Sequence, residues 1–456
     1  MQITIVGGGK LGESVARQLQ AEGHEITVVD KEEDVISQLS NTLDVIGYVG
    51  NGASYSVLRS AGVENSDLLI ALAETDEVNM LACLAAHKLG VEHTIARVRD
   101  PEYDDHLYVL REDLGLSMTV NPEKAAAEEI ARILRLPSAT HVELFAGGRV
   151  ELISIRLPSG NILCDGLKLS EFSQKLDVTA LVCAVERNGE IVIPGGDFVP
   201  LAGDLLYLAG SPKEIETILK RIGLLAHRVE NVIIAGGGRV SYYLAEELLR
   251  KGVKVKIVER DVEVAEELAE KLPRAVILQG DAADYELLSE EGLNRTDAFV
   301  ALTGLDEGNI LSAIYAGKHN VPKVIAKINN ENIASLVKDE SLETIISPKV
   351  VTGNDICRYV RAMAARSPEG NVLSLYKLAD GRVEVSEFRA VAGMDGLLGI
   401  PLRDLKLKKN ILIGCLVRDG QAIVPHGVDE IREGDFVLVV SRETILNELS
   451  DILEDR

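Results

Sequence analysis

The sequence comprises 456 residues and carries a formal net charge of −24. This length predicts three or four domains, and the negative field argues against nucleic acid as a partner because it repels phosphate backbones. No apolar run approaches the roughly 18 residues that a membrane span needs. The chain starts with a strand-like pattern instead of a signal peptide, and its five cysteines are scattered. We therefore expect a cytoplasmic protein with no direct membrane span.

The first predicted elements alternate between strand and helix. Short apolar runs predict strands at residues 3–6, 25–29, 45–49, 68–72 and 94–98, and helical spacing predicts helices at residues 13–21 and 78–88. Helices that cross between short buried strands build parallel sheets. This region therefore predicts an α/β fold with a Rossmann-type, doubly wound parallel sheet.

A glycine-rich segment follows the first predicted strand and opens the first helix. It consists of Gly7, Gly8, Gly9, Lys10, Leu11 and Gly12. In a dinucleotide fingerprint, Gly7 permits the tight turn, Gly9 lets the backbone approach a pyrophosphate, and Gly12 allows close packing of helix on strand. The phosphates would then meet the free N–H groups of the helix N-terminus. The alternative is that the glycines only make the turn.

An acidic residue stands where the fingerprint needs one. Asp30 ends the second predicted strand, 23 residues after Gly7. There its carboxylate can accept hydrogen bonds from both ribose hydroxyls and repel a 2′-phosphate. The predicted ligand is therefore NAD(H) or an adenine nucleotide rather than NADP(H).

Other polar residues follow the later strands of the same module. Asn51 comes after the third strand, where its amide could reach the adenine region. Asp76 and Asn79 follow the fourth strand and could either cap the next helix or bind the ligand. Arg97 and Arg99 flank one strand residue, so they point the same way and suit a phosphate. A solvated strand end or a salt bridge between subunits remains the alternative for this arginine pair.

The chain repeats itself at an offset of about half its length. The strand and glycines that end at Gly9 return at Gly238, a shift of 229 residues, and Asp30 returns as Glu259 with the same shift. The register drifts by a few residues and then recovers, so the repeat covers the whole chain. It predicts four domains, two Rossmann-type domains that are each followed by a small α+β domain, at residues 1–122, 140–225, 229–348 and 370–456.

The second half retains a modified copy of the candidate site. Its predicted ligand contacts are Gly236, Gly238, Arg239, Glu259, Asp281 and Lys327. Ser241 replaces the last glycine of the fingerprint, and Asn329 stands where the first half has Arg99. We expect a weaker phosphate clamp here, and the two halves could prefer different nucleotides.

The small modules carry no recognisable catalytic group. Each is predicted to consist of strands around one short helix, and the first contains a hairpin that turns at Asn188 and Gly189. The eight histidines are dispersed and show no paired spacing of metal ligands. The sequence also lacks the nucleophile elbow of hydrolases and the Walker lysine motif of ATPases. The sequence therefore predicts a binding protein rather than an enzyme, with no metal site.

Taken together, these features resemble the RCK (KTN) family, the nucleotide-binding regulatory subunits of Trk-type potassium transporters. The resemblance covers essentially the full chain and depends on the first glycine-rich segment, Asp30, the segment from Gly50 through Gly52 to Ala53, the segment 97–101, and the matching segment 280–282. It implies that NAD(H), ATP and ADP are the ligands and that Arg97 and Arg99 meet the terminal phosphates of ATP.

The resemblance also implies partners. Copies of the chain would form a homo-oligomeric ring at the inner face of the cell membrane and act on a membrane-embedded Trk-type potassium channel subunit. Two other functions stay open on the residues alone. One is an NAD-dependent dehydrogenase with an unrecognised active site, and the other is a soluble nucleotide sensor without a channel partner.

Overall fold

The computed structural model describes most of the chain. The described residues are 1–100, 103, 110–164, 166–225, 228–337, 342, 344–364, 372–378, 382–394, 396–444, 446 and 448–454. Residue 101, the last of the segment 97–101, and residues 370 and 456, the ends of the last predicted domain, lie outside this set. The four domain boundaries stay a prediction.

The first module is a six-stranded parallel sheet. Its strands are β1 (Gln2–Val6), β2 (Glu25–Asp30), β3 (Ile46–Val49), β4 (Leu68–Ala71), β5 (His93–Arg97) and β6 (Met118–Val120), and its helices are α1 (Lys10–Ala21), α2 (Glu33–Thr42), α3 (Tyr55–Ser60) and α4 (Asp76–Leu89). The strand order is β3-β2-β1-β4-β5-β6. The order reverses between β1 and β4, which opens a crevice at the carboxyl end of β1, where α/β sheets bind ligands.

An antiparallel sheet follows the first module. The connecting helix α5 (Pro122–Arg135) leads into β7 (Ala139–Phe145), β8 (Val150–Arg156), helix α6 (Leu169–Leu176), β9 (Leu181–Arg187), β10 (Glu190–Val192), β11 (Leu205–Gly210) and helix α7 (Pro212–Arg221). The predicted hairpin joins β9 and β10, and Asn188 and Gly189 both have positive φ, 52° and 79°. Such angles fit a tight turn whose twist matches that of the strands.

The second half repeats both sheets. The second parallel sheet has order β14-β13-β12-β15-β16-β17, with strands β12 (Asn231–Ala235), β13 (Lys254–Glu259), β14 (Val276–Gln279), β15 (Ala298–Ala301), β16 (Lys323–Lys327) and β17 (Ile345–Ile346). Its helices are α8 (Arg239–Arg250), α9 (Val262–Lys271), α10 (Tyr285–Glu290), α11 (Asp306–Lys318) and α12 (Glu331–Val337), and the connecting helix is α13 (Pro348–Ala364). The second antiparallel sheet contains β18 (Val372–Leu378), β19 (Val383–Arg389), β20 (Ile411–Arg418), β21 (Gln421–Ile423) and β22 (Phe436–Arg442).

The α/β class is confirmed, but the expectation of one short helix in each small module is wrong. The first small sheet has two helices, α6 and α7. The described part of the second small sheet has only short 3-10 turns, at Leu402–Asp404 and Leu449–Ile452. Loops with few helical turns surround this second sheet because segments such as 393–401 contain three glycines with positive φ.

The connecting helices cross between the two halves. Helix α5 packs on α8 of the second parallel sheet, and buried Ile130 and Leu244 share one core there. Helix α13 packs on α1 of the first parallel sheet, where Leu19 and Val360 are fully buried. Burying each large aliphatic side chain contributes about 1.5–3 kcal/mol. The two halves therefore share their cores and cannot separate without exposing these helices.

The two antiparallel sheets also meet. Val150 and Cys183 of the first share a buried cluster with Val383 and Cys415 of the second. None of the helices in the described part of the chain is both long enough and apolar enough to cross a membrane.

Candidate nucleotide-binding sites

The first glycine-rich loop has the geometry that its spacing predicts. Gly7 has φ +97°, and a Cβ on it would lie 2.7 Å from the backbone nitrogen of Ala73. A Cβ on Gly12 would lie 1.9 Å from the carbonyl oxygen of Gly7, so only glycine lets α1 approach β1 this closely. A Cβ on Gly9 would meet no described atom within 4 Å. The space beside Gly9 is therefore open.

The N-terminus of α1 is directed at this open space. Gly9 is the N-cap residue and offers no side-chain oxygen to the first turn. The N–H groups of Lys10, Leu11 and Gly12 therefore have no capping side chain, and Lys10 is exposed beside them. Free N–H groups at the positive end of a helix dipole form an anion site.

Asp30 lies next to the loop, at the end of β2. Its Oδ2 accepts a hydrogen bond of 2.6 Å from the backbone N–H of Gly8, and its Oδ1 accepts one of 3.0 Å from the N–H of Glu32. A carboxylate oxygen can accept two hydrogen bonds. Asp30 therefore fixes the loop and keeps one lone pair on each oxygen for a ribose hydroxyl.

The segment with Asn51 and Ala53 lies beside the same crevice. The Asn51 Oδ1 accepts a hydrogen bond of 3.0 Å from the N–H of Ala53, which fixes the loop as an Asx turn. A Cβ on Gly52 would lie 2.1 Å from Cγ1 of Val6, so the loop sits against the end of β1. Asn51 itself is exposed at the rim of the crevice.

Asp76 and Asn79 tie strand ends together. Thr75, and not either of them, caps α4, because its side chain accepts a hydrogen bond from Val78 N–H. Asn79 is fully buried, and its amide bonds to both backbone groups of Ala73 and to the carbonyl of Arg97, at 2.7–3.1 Å.

Asp76 holds the segment that carries Arg97 and Arg99. The Asp76 Oδ2 accepts hydrogen bonds from the N–H groups of Arg99 and Asp100, at 2.8 and 2.9 Å. The described contacts of Asp76 and Asn79 thus position the arginine segment, and a direct ligand contact for either stays a prediction.

Arg97 and Arg99 point the same way, as their spacing predicts. Arg97 donates to the carbonyl of Ala73 and Arg99 to that of Glu74, on the loop after β4. Burial, reinforced by the charge of Arg99, lowers the pKa of Arg97. The buried Nε atoms of both arginines have no hydrogen-bond partner among the described residues, and that of Arg99 lies 3.7 Å from the Asp76 Oδ1 as an ion pair. Two adjacent guanidinium groups suit a phosphate.

The second site reproduces the loop and its acidic anchor. Gly236 has φ +97°, and Gly238 leaves open space as Gly9 does. The Glu259 Oε2 accepts a hydrogen bond of 2.5 Å from the N–H of Gly237, and its Oε1 accepts one of 2.8 Å from Asp261. Arg239, at the start of α8, is exposed in the position of Lys10. Asp281 forms the same Asx turn as Asn51, with a 2.8 Å bond from Ala283 N–H.

Three further replacements, at Ser241, Lys327 and Asn329, distinguish the second site. Ser241 fits where only glycine fits in the first half, and its hydroxyl donates a 2.6 Å hydrogen bond to the Gly236 carbonyl. Lys327 donates to the Leu302 carbonyl at 3.3 Å, and burial lowers its pKa. The side-chain amide of Asn329 donates a hydrogen bond of 3.2 Å to the Oδ1 of Asp306. The second site therefore has one cationic side chain where the first has two.

The structure adds residues that the sequence did not indicate. Tyr243 of α8 donates a 3.2 Å hydrogen bond to the carbonyl of Arg99, and the amide of Asn121 donates to the Tyr243 hydroxyl at 3.1 Å. The negative charge of Glu123 partly offsets the lowering of the pKa by burial at both Arg97 and Lys327. These contacts join the two sites across the halves, and no local pattern in the sequence signals them. Within the described part of the chain no cluster of His, Cys, Asp or Glu could hold a metal ion.

Comparison with known proteins bears on the whole chain. The TrkA-N domain model matches residues 3–122 and 232–348, and the TrkA-C domain model matches residues 152–223. A Trk system potassium uptake protein TrkA homolog of Archaeoglobus fulgidus is 32% identical over 99% of this chain and 100% of that protein. The Trk system potassium uptake protein TrkA of Halomonas elongata is 33% identical over 96% of this chain and 95% of that protein.

Solved structures share the fold. The RCK domain of GsuK superposes with a TM-score of 0.62 at 19% identity, covering 97% of this chain and 92% of that one. The GsuK channel bound to NAD gives a TM-score of 0.63 at the same identity, covering 97% and 77%. The matched domain models, the near full-length relatives and the duplicated fingerprint agree, and this chain belongs to the TrkA family of Trk-system potassium uptake proteins.

Proposed function

We propose that this chain is the nucleotide-binding regulatory, or gating, subunit of a Trk-type potassium transporter, and that it switches with NAD(H) and ATP or ADP. One observation carries the proposal. Two fingerprint loops, each anchored by a carboxylate, open at the switch points of two sheets whose connecting helices are exchanged. This arrangement suits nucleotide binding, and the described residues around the two loops form no catalytic constellation, so we propose that the protein is not an enzyme.

Asp30 supports NAD(H) over NADP(H). Its two oxygens already hold the backbone of Gly8 and Glu32, so its position relative to the ribose is fixed. A 2′-phosphate would meet this carboxylate at close range, and like charges repel. The GsuK channel has been solved with NAD and with ADP, which is consistent with adenine nucleotides as ligands of such a fold.

Arg97 and Arg99 support binding of a nucleotide with terminal phosphates. Both side chains donate to carbonyls of the loop after β4, and this loop lies next to the first glycine-rich loop. ATP would gain charge-assisted hydrogen bonds that NAD(H) does not need. The second site lacks the pair, because Asn329 stands where the first half has Arg99. We therefore propose tighter ATP binding in the first half than in the second.

A hydrogen bond between the halves provides the route by which a ligand acts at a distance. It runs from Tyr243 on α8 of the second half to the carbonyl of Arg99 in the first site. A nucleotide that draws on Arg99 would move this contact, and it would shift the balance between two arrangements of the halves by its differential affinity.

Exposed apolar side chains support assembly into a homo-oligomeric ring. Leu81 on α4 and Leu311 on α11 occupy corresponding positions and are 51% and 59% exposed. Both helices are apolar on more than the face that packs on the sheet, and a helix that is apolar all round is normally covered on both sides. We propose that other copies of the chain cover these faces, beneath the membrane-embedded channel subunit at the inner face of the cell membrane.

Binding of ligands tests the nucleotide assignment. Thermal unfolding of the purified chain is measured with NADH, NAD, ATP, ADP and NADPH, for the wild type, Asp30→Ala and Arg97→Ala. A ligand at 100 times its Kd adds about 2.7 kcal/mol to the stability of the native state. We expect shifts with NADH and ATP that Asp30→Ala reduces to the part contributed by the second site, where Glu259 still anchors the loop, while Arg97→Ala weakens only the ATP shift. Absence of any shift, or a shift with NADPH alone, would overturn the assignment.

A further inference from the structure

A cleft of about 480 Å³ lies at the amino-terminal edge of the second parallel sheet, opposite the edge that carries the glycine-rich loop. The starts of three strands form its wall, at Val232 and Val255, which are buried, and at Val276. Val276 remains 49% exposed, so the wall is open to solvent. Pockets of this size that combine an apolar wall with a few polar groups are typical of small-molecule sites.

Cationic side chains surround this wall. The cationic lining residues are Lys254, Lys256, Arg274 and Arg295, and the one lining carboxylate is Glu291. Lys256 pairs with Glu291 at 2.9 Å, and Arg274 donates one hydrogen bond of 2.6 Å to the carbonyl of Leu249. No carboxylate of the described residues forms an ion pair with Lys254, Arg274 or Arg295. The cleft therefore holds three uncompensated positive charges.

The internal repeat shows that these charges are specific to the second half. The corresponding first-half residues, at offsets of 229 or 230, are Glu25, Thr27, Asp44, Asn65 and Ala61. Lys256 and Glu291 replace the neutral pair Thr27 and Ala61 together, and they neutralise each other. The other three replacements change the local charge from −2 (Glu25, Asp44, Asn65) to +3 (Lys254, Arg274, Arg295). This change runs against a net charge of −24 for the whole chain.

We propose that this cleft binds a small organic anion, a molecule with an apolar or planar body and a phosphate or carboxylate group. The body would lie on the valine wall, and the anionic group would take the unused donors of Arg274 and Arg295, which favour planar oxyanions. The ligand would act on the second half alone, at the edge remote from the nucleotide. It would give the protein a third input, separate from the two fingerprint sites.

Phenyl phosphate is the probe, because it joins a planar apolar ring to a dianion. Its binding to the full chain, with the fingerprint sites saturated by NAD, is followed by displacement of the anionic dye 8-anilinonaphthalene-1-sulfonate. Phenol and inorganic phosphate serve as partial ligands that each lack one of the two features. We expect phenyl phosphate to displace the dye at concentrations at least about tenfold lower than either partial ligand.

The variant Arg274→Asp/Arg295→Asn introduces the residues that the first half carries at these positions. The control Lys213→Asp/Lys220→Asn makes the same charge change of −3 on exposed residues of α7. We expect the first variant to bind phenyl phosphate at least about tenfold more weakly, and the control within about twofold of the wild type. Lys254→Glu provides the same test if the double variant fails to fold, as judged by circular dichroism.

Two results would overturn the proposal. One is equal affinity for phenyl phosphate in the wild type and the cleft variants. The other is displacement of the dye by a poly-glutamate peptide at lower concentrations than by phenyl phosphate, which would assign the cleft to an acidic protein segment. Neither result depends on the nucleotide sites, because NAD saturates them throughout.

Discussion

Substitution of Gly9 separates nucleotide binding from stability. A Cβ at this position would meet no described atom within 4 Å, and Gly9 has φ −63°, which alanine adopts without strain. The free energy of unfolding of Gly9→Ala should therefore stay within about 0.5 kcal/mol of the wild type. The added methyl group would, however, stand where a pyrophosphate must approach the N–H groups of α1. We expect NADH to bind the first site at least tenfold more weakly, about 1.4 kcal/mol.

The assay is isothermal titration calorimetry with NADH, together with thermal unfolding in the absence of ligand. Gly238→Ala is the matched variant of the second half, because a Cβ there also meets no described atom within 4 Å. Comparing the two variants assigns each binding event to one half. If Gly9→Ala binds NADH with wild-type affinity at both sites, the open space beside Gly9 is not the pyrophosphate site and the reasoning fails.

Three further predictions concern stability. In Gly12→Ala, the Cβ would lie 1.9 Å from the Gly7 carbonyl oxygen, whereas an ordinary contact is about 3.3 Å. We expect this overpacking to cost about 1–3 kcal/mol of stability and to lower the melting temperature of the unliganded chain. An unchanged melting temperature would show that the steric clash does not occur. Arg361 of α13 is 9% exposed and binds the Glu22 carboxylate and the Leu375 carbonyl. Arg361→Ala should therefore lower the free energy of unfolding, measured in urea, by about 3–5 kcal/mol. A loss below about 1 kcal/mol would show that this pair does not join the halves. Partial burial, opposed by the charge of Arg358, raises the pKa of Asp355 to about 6. Because the native state then binds this proton more tightly than the unfolded state, the contribution of Asp355 to stability falls as pH rises from about 4 to about 6. Asp355→Asn should therefore raise the melting temperature more at about pH 8 than at about pH 4, and an equal effect at the two pH values would contradict this prediction.

The local elements and the geometry of the first glycine-rich loop could be predicted because their signals are local. Apolar runs and glycine spacing indicate β1, α1 and β2, and the carboxylate of Asp30 lies where its distance from Gly7 predicts. The Asn188–Gly189 turn likewise requires positive φ at two adjacent residues, which these residue types adopt readily. Such features depend on interactions within a few residues or within one βαβ unit.

The relation between the halves could not be predicted in this way. Ile130 and Val360 read as ordinary apolar helix positions, and nothing in their spacing says that each helix packs on the other half. Asn79 reads as a polar residue near a helix start, but tertiary packing buries it and uses its amide to hold two strand ends. The cationic cleft could not be predicted from the sequence, because Lys254 and Arg295 are far apart in the chain and line the same cleft only in the folded sheet.

The most direct test of the regulatory function is potassium flux. A Trk-type channel subunit from the same cell is reconstituted in liposomes, and flux is measured with and without this chain in the presence of NADH, ATP or ADP. We expect flux that depends on the chain, differs between nucleotides, and loses its response to ATP in Arg97→Ala. Flux that ignores the chain, although the chain binds nucleotides, would contradict the gating function and favour a nucleotide sensor without a channel partner.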